Sequence, residues 1–286
     1  MEQVVFQGKT DWVEVSQVIR DYEYSMVARH FHDTYELYYL LEGQRYYFID
    51  RQTYLVKAGD VVMIRPNQIH KTSMAQESYH NRILLQIDGR AMDPFLKACG
   101  MGGMEEVYAQ DAMILSVPEK ERPDIEELLF RIQKEMKERL SQYEVRVKLK
   151  LAELFLTLLR SQKRVPFLEE NQKVETWKHK KVHEVADYLL NHPETEESLE
   201  ELAKRFYISK SYLSRIFREV TSFTVNEYKN INRIKKSQQL LNHSTYSVTE
   251  ISELLGFENL TYYERVFKKY AGVTPLKYRK IAALKS

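Results

Sequence analysis

The first part of the chain alternates short apolar runs with turn-forming residues. Runs rich in β-branched and aromatic side chains occupy residues 35–41, 45–49, 53–56, 61–64 and 82–87. They are separated by the pairs Glu42-Gly43, Asp50-Arg51 and Pro66-Asn67. Short strands at this close spacing are typical of an all-β sandwich or barrel. We therefore predict an all-β domain between about residues 13 and 90, in which Glu42-Gly43 ends one strand before the next begins.

From about Pro123 the apolar residues change to a helical period. They recur at intervals of three and four, at Ile125, Leu128, Leu129, Ile132, Met136 and Leu140. A second stripe continues from Val147 to Leu159. One apolar face repeated in this way predicts amphipathic helices that cover the β domain. The polar stretch after them contains Pro166, which favours a linker at residues 166–176 between a domain at 1–165 and one at 177–286.

The last hundred residues carry helix signals throughout. A helix is predicted from Trp177 to Asn191, before Pro193. Capping boxes, in which a Ser or Thr side chain and a Glu three residues later satisfy the backbone at a helix start, mark three further helix starts. These boxes are Ser198 with Glu201, Thr224 with Glu227, and Ser247 with Glu250.

Within this region the sequence repeats itself at an offset of about fifty residues. The segment around Tyr212-Leu213 and Arg215-Ile216-Phe217 matches the segment around Tyr262-Tyr263 and Arg265-Val266-Phe267. Each copy predicts a short helix, a tight turn and a second helix, which is the helix-turn-helix pattern. The second helix of each copy has an apolar face for the core and a polar face that is suited to the major groove of DNA.

A predicted helix over residues 224–242 joins the two copies. Its 19 residues span about 28 Å at about 1.5 Å per residue. Successive major grooves on one face of DNA lie about 34 Å apart. A rod of this length suits one chain that places two helices in adjacent grooves.

These residues resemble the DNA-binding domain of the AraC/XylS family of bacterial transcriptional regulators. The strongest match runs from Ser247 through Gly256-Phe257, Tyr262, Arg265 and Phe267 to Pro275 and Tyr278-Arg279. Departures are mild: Ser222 stands where the family usually has Gly, Ser237 and Ser252 where it usually has Ala, and Tyr263 where Phe is common. The resemblance implies double-stranded operator DNA as the partner, and RNA polymerase as a second partner if the protein is an activator.

The resemblance assigns DNA contacts to the outward faces of the two helices. Arg215 and Arg265 are expected to contact a guanine edge or a phosphate, the alternative being a surface ion pair. Ser211, Ser214, Leu260 and Thr261 match base-reading positions, the alternative being a solvated face. Lys210, Tyr212, Arg218 and Lys268 suit phosphates. Glu264 suits either cytosine N4 or a local pairing with Lys268.

The β domain carries a second resemblance. His30, His32 and Glu36, with six residues between Glu36 and Gly43, reproduce the first motif of the cupin barrels, and Gly59-Asp60, Pro66 and His70 resemble the second. In metal-binding cupins His30, His32, Glu36 and His70 would ligate a divalent ion. In AraC-type sensor domains the same signature often serves strand packing and a ligand cavity. We expect the cavity, with no metal or cofactor, and add Tyr38 and Tyr46 to the ligand-binding candidates.

Composition and charge sharpen this picture. The net charge of +2 over 286 residues gives by itself no hint of nucleic acid. Residues 176–286, however, hold 19 Lys and Arg against 13 Asp and Glu, so the remainder is acidic. The single cysteine, Cys99, excludes disulfides within the chain and cysteine-based zinc sites, and is expected to be packed in a cytoplasmic protein. No apolar run reaches the roughly 18 residues of a membrane-spanning helix.

Together these observations predict a multidomain, ligand-responsive transcription regulator that is not an enzyme. It has an N-terminal all-β cupin-like barrel with a helical dimerisation segment, and a C-terminal all-α domain with two helix-turn-helix motifs. The expected partners are operator DNA, a small-molecule effector such as a sugar, and a second copy of the chain, with no membrane. The alternatives are a metal-dependent cupin enzyme fused to a DNA-binding domain, and a module whose repeats bind only protein.

Overall fold

A computed structural model describes residues 1–24, 32–109, 114–162, 174 and 176–283. The chain divides into two compact units, each described here by itself. One unit comprises Met1–Ile49 and Thr53–Val174, and the other comprises Asp50–Gln52 and Glu175–Ser286. The predicted linker at residues 166–176 lies almost wholly outside the described residues.

The N-terminal unit is an antiparallel sheet-rich domain, as expected. Its strands in the described residues are β1 Glu2–Lys9, β2 Val13–Asp21, β3 Tyr35–Ile49, β4 Gln52–Lys57, β5 Asp60–Ile64, β6 His70–Met74, β7 Tyr79–Ile87 and β8 Ile114–Ser116. The main order is β1-β2-β7-β3-β5-β8, and β4 and β6 also pair with β3. Strands β1, β6 and β8 were not predicted, because polar residues break the apolar runs of the first two and β8 has only three residues.

Strand β3 corrects the prediction of two strands separated at Glu42-Gly43. It is one strand of 15 residues, and its register against β7 shifts between Leu40 and Glu42. Such a β-bulge inserts an unpaired residue and re-aims the side chains beyond it. Gly43 follows with φ of 89°, a left-handed conformation that favours glycine. The turn signal in the sequence therefore marks a bulge and not a strand end.

The bulge decides which side chains of β3 face the same way. Before it, Tyr38 and Leu40 belong to one buried cluster, and after it Tyr47 and Ile49 belong to that same cluster. We call the sheet surface that carries these four residues the inner face. The even-numbered positions are inward before the bulge and the odd-numbered positions are inward after it, because one extra residue reverses a period of two.

Helices cover the opposite face of the sheet. They are α1 Gly89–Ala98, α2 Met104–Tyr108, α3 Arg122–Glu138 and α4 Tyr143–Gln162. Leu37 and Tyr39 of β3 lie in one buried core with Leu129 of α3 and Phe155 of α4. The amphipathic helices predicted beyond Pro123 are confirmed. The expectation for Cys99 is wrong: it caps the C-terminus of α1 and is exposed.

The C-terminal unit is helical throughout its described elements. These are α5 Trp177–Asn191, α6 Leu199–Arg205, α7 Lys210–Thr221, α8 Val225–His243, α9 Val248–Leu254, α10 Leu260–Ala271 and α11 Pro275–Ala283. All three predicted capping boxes are present, at the starts of α6, α8 and α9. Among the described residues no helix is both long and apolar enough to cross a membrane.

The two repeats end their second helices in the same way. Ser222 after α7 and Gly272 after α10 are the C-caps, and both adopt left-handed backbone, with φ of 67° and 75°. A residue in this conformation closes a helix by satisfying its last carbonyl groups. Ser222 stands where the family usually has glycine, and in this left-handed conformation any residue with a side chain carries a conformational cost.

Candidate functional sites

Helix α7 is held by an apolar face. Leu213, Ile216 and Phe217 are fully buried. The Phe217 ring packs edge-on against Tyr228 of α8, with ring centroids 5.3 Å apart. The helix begins where the Ser209 hydroxyl accepts a hydrogen bond from the Tyr212 backbone N–H. Packing and capping thus fix the orientation of α7, so that its other face is set by the fold.

Helix α10 repeats this arrangement. Tyr263 and Phe267 are fully buried against α8, and the hydroxyls of Tyr263 and Ser237 share a hydrogen bond. The Asn259 side chain accepts a hydrogen bond of 2.8 Å from the Tyr262 backbone N–H and so caps the helix. The joining helix α8 has 19 residues, as predicted, and contacts both repeats.

The predicted DNA-contacting residues all lie on the outward faces of α7 and α10. Tyr212 and Glu264 are half-buried. The exposed ones are Lys210, Ser211, Ser214, Arg215, Arg218, Leu260, Thr261, Arg265 and Lys268. Each helix therefore presents a continuous surface that is polar except for Leu260.

The two outward arginines have matching surroundings. The Arg215 guanidinium lies 5.0 Å from the Tyr212 ring centroid, and the Arg265 guanidinium lies 5.2 Å from that of Tyr262. Stacking on a tyrosine three residues earlier orients a guanidinium without neutralising it. Tyr262 is an orienting residue that the sequence reasoning did not select, although the repeat itself pairs it with Tyr212.

Ion pairs on the protein surface were the alternatives to DNA contact for Arg215, Arg265 and Glu264, and only Arg215 forms one among the described residues. Arg215 has Glu219 at 3.8 Å, and both side chains are largely exposed, so this ion pair is weak and leaves its donors available. No ion pair of Arg265 occurs among the described residues. Glu264 likewise forms none with Lys268 in this part of the chain, so the local pairing considered for it is not formed.

On the inner face of the N-terminal unit, Glu36 is the centre of a buried polar cluster. Its carboxylate accepts a hydrogen bond of 2.8 Å from the Tyr47 hydroxyl. Nε2 of His32 lies 3.1 Å and Nε2 of His70 3.5 Å from Glu36 Oε2. Burial alone would raise the pKa of Glu36, but the His70 charge and the His32 hydrogen bond outweigh it and hold that pKa well below its usual range.

This cluster brings together three of the four predicted metal candidates. Ligand atoms of His32, Glu36 and His70 lie within 4.8 Å of one another, a donor set that suits a divalent first-row ion. The fourth candidate, His30, lies outside the described residues. Both carboxylate oxygens of Glu36 already have partners within the protein, Oε1 the Tyr47 hydroxyl and Oε2 the His32 ring.

The two predicted tyrosines are separated by the β-bulge. Tyr38 is buried on the inner face, with its ring edge-on to Tyr47 at 5.4 Å. Tyr46 is half-buried and alternates with the inward Arg45 and Tyr47, so it faces the other way. The structure thus does not bring Tyr46 to this cluster, and Tyr47 takes the place expected for it. A strict period of two along one strand would place Tyr46 beside Tyr38, and only the bulge at Glu42-Gly43 reverses this.

The chain is similar to known regulators over both units. Residues 15–159 match the AraC-like ligand binding domain and residues 202–281 match a helix-turn-helix domain. The Msm operon regulatory protein of Streptococcus mutans is 25% identical, over 91% of this chain and 88% of that protein. The transcriptional activator RhaR of Salmonella dublin is 25% identical, over 96% of this chain and 94% of that protein.

Among solved structures, the DNA-binding domain of AdpA in complex with a target DNA is 29% identical. The alignment covers 36% of this chain and 92% of the AdpA chain, with a TM-score of 0.35. The identity of this protein rests on the two domain matches, which together span the sheet domain and both repeats. The chain belongs to the AraC family of helix-turn-helix transcriptional regulators, with a ligand-binding domain preceding the DNA-binding domain.

Proposed function

We propose that this AraC-family regulator reads its operator with the outward faces of α7 and α10 and responds to a small-molecule effector bound on the inner face of its sheet. The observation that carries the first part is the matched exposure of the two repeats. Each presents one tyrosine-stacked arginine, flanked by short side chains and by a lysine or arginine.

Two kinds of DNA contact divide among these residues. Arg215 and Arg265 read base edges, because a guanidinium donates two parallel hydrogen bonds to guanine. Lys210, Arg218 and Lys268 bind phosphates, and the Tyr212 hydroxyl joins them. Ser211, Ser214, Leu260, Thr261 and Glu264 set the preferred sequence through smaller contacts. Phosphate contacts supply affinity without sequence information, whereas base contacts supply specificity.

Salt dependence tests the DNA-binding proposal. The affinity for an operator selected from a random oligonucleotide library is expected to fall about 10³- to 10⁵-fold between about 50 and 200 mM salt, if about six to ten phosphates are contacted. Lys268→Ala is expected to reduce the slope of log affinity against log salt by about 1, because one phosphate contact is lost.

The control is Lys137→Ala on α3, an exposed lysine of the other unit. It removes the same charge from the chain and is expected to leave the slope unchanged. An affinity that stays constant across this salt range would sink the proposal, because every counterion-releasing contact would then be missing.

The effector is a compound with several hydroxyls, such as a sugar. The inner face supports this with polar groups set among apolar neighbours, namely the Glu36 cluster and Tyr38, which shares a buried cluster with Leu40 and Val62. A few fixed polar groups in an apolar surround are what small-molecule sites use for orientation and specificity. Binding changes transcription only if the effector's affinity differs between the states that bind the operator and those that do not.

The protein also acts as a homodimer. Helix α4 exposes an apolar stripe of Val145, Leu149 and Leu156 at helical spacing, although the rest of its apolar face is buried against α3 and the sheet. Phe130 of α3 is exposed as well. A stripe at intervals of four and seven residues suits packing against the same stripe of a second copy.

Sedimentation tests the dimer. At micromolar concentration the chain is expected to sediment as a dimer, and Leu149→Glu is expected to sediment as a monomer, because a carboxylate would be buried in the contact. Leu276→Glu in the other unit is the matched control, since Leu149 and Leu276 are 54% and 57% exposed. A wild-type monomer at this concentration, or a dimer of Leu149→Glu, contradicts the assignment.

A further inference from the structure

Three arginines meet on the inner face of the N-terminal sheet. Arg82 of β7 lies opposite Val18 of β2 and Leu40 of β3 in the strand register. Arg20 follows Val18 by two residues and therefore shares its face. Arg45 comes after the bulge and precedes the inward Tyr47 by two residues. All three guanidiniums thus project from the surface that carries the proposed effector site.

Arg45 is buried, and no acidic partner of its guanidinium occurs among the described residues. Its side chain is fully buried, and Nη2 donates to the Tyr24 carbonyl oxygen. Its other two nitrogens, Nε and Nη1, have no hydrogen-bond partner among the described residues. A buried cation with unsatisfied donors is costly, and proteins retain such groups where something binds them.

The neighbouring charges do not offset this one. Arg82 is bonded to the Ser16 hydroxyl at 2.7 Å, a neutral partner. Arg20 pairs with Glu2, with 2.8 Å between Nε and Oε2, and Arg20 and Arg45 lie 3.9 and 5.9 Å from the Tyr24 ring centroid. The stretch of residues 25–31 that follows Tyr24 contains no Asp or Glu in the sequence.

Burial and the nearby guanidiniums together set the protonation states of His80 and Tyr38 on the inner face. Burial and the Arg45 charge lower the pKa of His80 to about 4, so its ring is neutral at neutral pH. Burial raises the pKa of Tyr38 to about 12 even though the three guanidiniums oppose the shift. Tyr38 therefore keeps its proton, and its hydroxyl has no partner among the described residues. Glu36 is engaged by Tyr47 and His32, and Glu2 by Arg20, so neither carboxylate is a partner of Arg45.

We propose that the effector carries an anionic group, a phosphate or a carboxylate, which the Arg45 and Arg82 guanidiniums bind with help from the Tyr38 hydroxyl. The inference rests on the proposed effector site and names the chemical class of its ligand. Guanidinium donors match the oxygen geometry of either anion, and hydrogen bonds to a charged acceptor in a buried site are strong. A sugar phosphate or a sugar acid combines such a group with the hydroxyls expected above.

The test uses the full chain and four probes: inorganic phosphate, glucose 6-phosphate, gluconate and glucose. The last three share an unbranched six-carbon skeleton: glucose 6-phosphate carries a phosphate, gluconate carries a carboxylate, and glucose carries no anionic group. Thermal unfolding is followed at about 10 mM probe and constant ionic strength, since a ligand that binds the folded state raises the Tm. At least one anion is expected to raise the Tm by about 2 °C or more, and glucose is expected to raise it less. Comparison of glucose 6-phosphate with gluconate identifies the anion.

Two variants complete the test. Arg45→Met is expected to weaken anion binding about 10- to 100-fold. Without probe it is expected to unfold at or above the wild-type Tm, because it removes a buried unpaired charge. Arg131→Met is the control, since it makes the same change at an exposed site on α3 and is expected to keep the anion response.

The outcomes separate the two proposals. Equal effects of glucose and the anions, no effect of any anion, or a full anion response in Arg45→Met would each overturn the anionic effector. Binding of a neutral compound would leave a ligand-responsive regulator in place. The salt titration of operator binding fails or succeeds independently of all four probes, because it measures contacts with DNA and uses no effector.

Discussion

Replacing Arg215 and Arg265 together by alanine is expected to abolish sequence-specific binding to the operator. Each single substitution is expected to cost about 1–3 kcal/mol of binding free energy and to relax the preference at one base pair. The double variant is expected to lose about the sum, because the two residues lie in separate repeats and share no partner. Fluorescence anisotropy at fixed salt, with the selected operator and with scrambled duplexes, measures both affinity and specificity.

The comparison within the helix is Arg218→Ala. Arg218 is exposed on α7 one turn beyond Ser214, and we assign it to a phosphate. Its loss is therefore expected to weaken binding to the operator and to the scrambled duplexes equally. Circular dichroism checks that each variant keeps its helices. If the double variant discriminates the operator as well as the wild type does, the arginines do not read bases. Specificity would then lie in the smaller residues of the same faces.

Gly43→Ala is expected to destabilise the N-terminal unit by about 2–3 kcal/mol. A Cβ at this position would lie 2.3 Å from the Tyr79 carbonyl oxygen, which is backbone of the adjacent strand and cannot rotate away. The positive φ of Gly43 adds strain for any other residue. Urea unfolding of the full chain, with hydrogen exchange followed in β3, measures the loss and locates it.

Gly100→Ala is the matched control for this clash. Gly100 also has a positive φ, of 72°, but a Cβ there would meet nothing within 4 Å. Its substitution is therefore expected to cost only the backbone strain, about 1–2 kcal/mol. Equal stabilities of the two variants would show that β7 yields to the added methyl group. A Gly43→Ala chain that stays folded is also expected to bind anions more weakly, because Arg45 and Tyr47 follow the bulge.

Local signals account for the successes of prediction in the C-terminal unit. A capping box is satisfied within four residues, so Ser198, Thr224 and Ser247 mark helix starts wherever the helices pack. The repeat then carries the helix-turn-helix assignment, and the period of 3.6 separates Leu213 and Phe217 from Arg215. The outward residues could be predicted because in a short helix the buried face determines the exposed one.

The proposed effector site could be predicted only in part. The spacing of His32, Glu36 and His70 indicated one cluster, and the structure brings these three side chains together. Tyr46 was named as a candidate and Tyr47 was not, whereas the bulge places Tyr47 on the face of Tyr38. The three arginines were not singled out, because single charged residues in strands usually point to solvent.

The sequence alone determines features that depend only on neighbouring residues and on composition. These are the helix starts, the repeat, the two-domain order and the division into an acidic and a basic half. The direction of Arg45 and Tyr47 depends on a bulge that forms only when β3 pairs with β7. The burial of Arg45, like the meeting of Arg20 and Arg82 with it, requires three strands to be aligned in register. Such cross-strand contacts join residues far apart in the chain, so they arise only when the sheet has assembled.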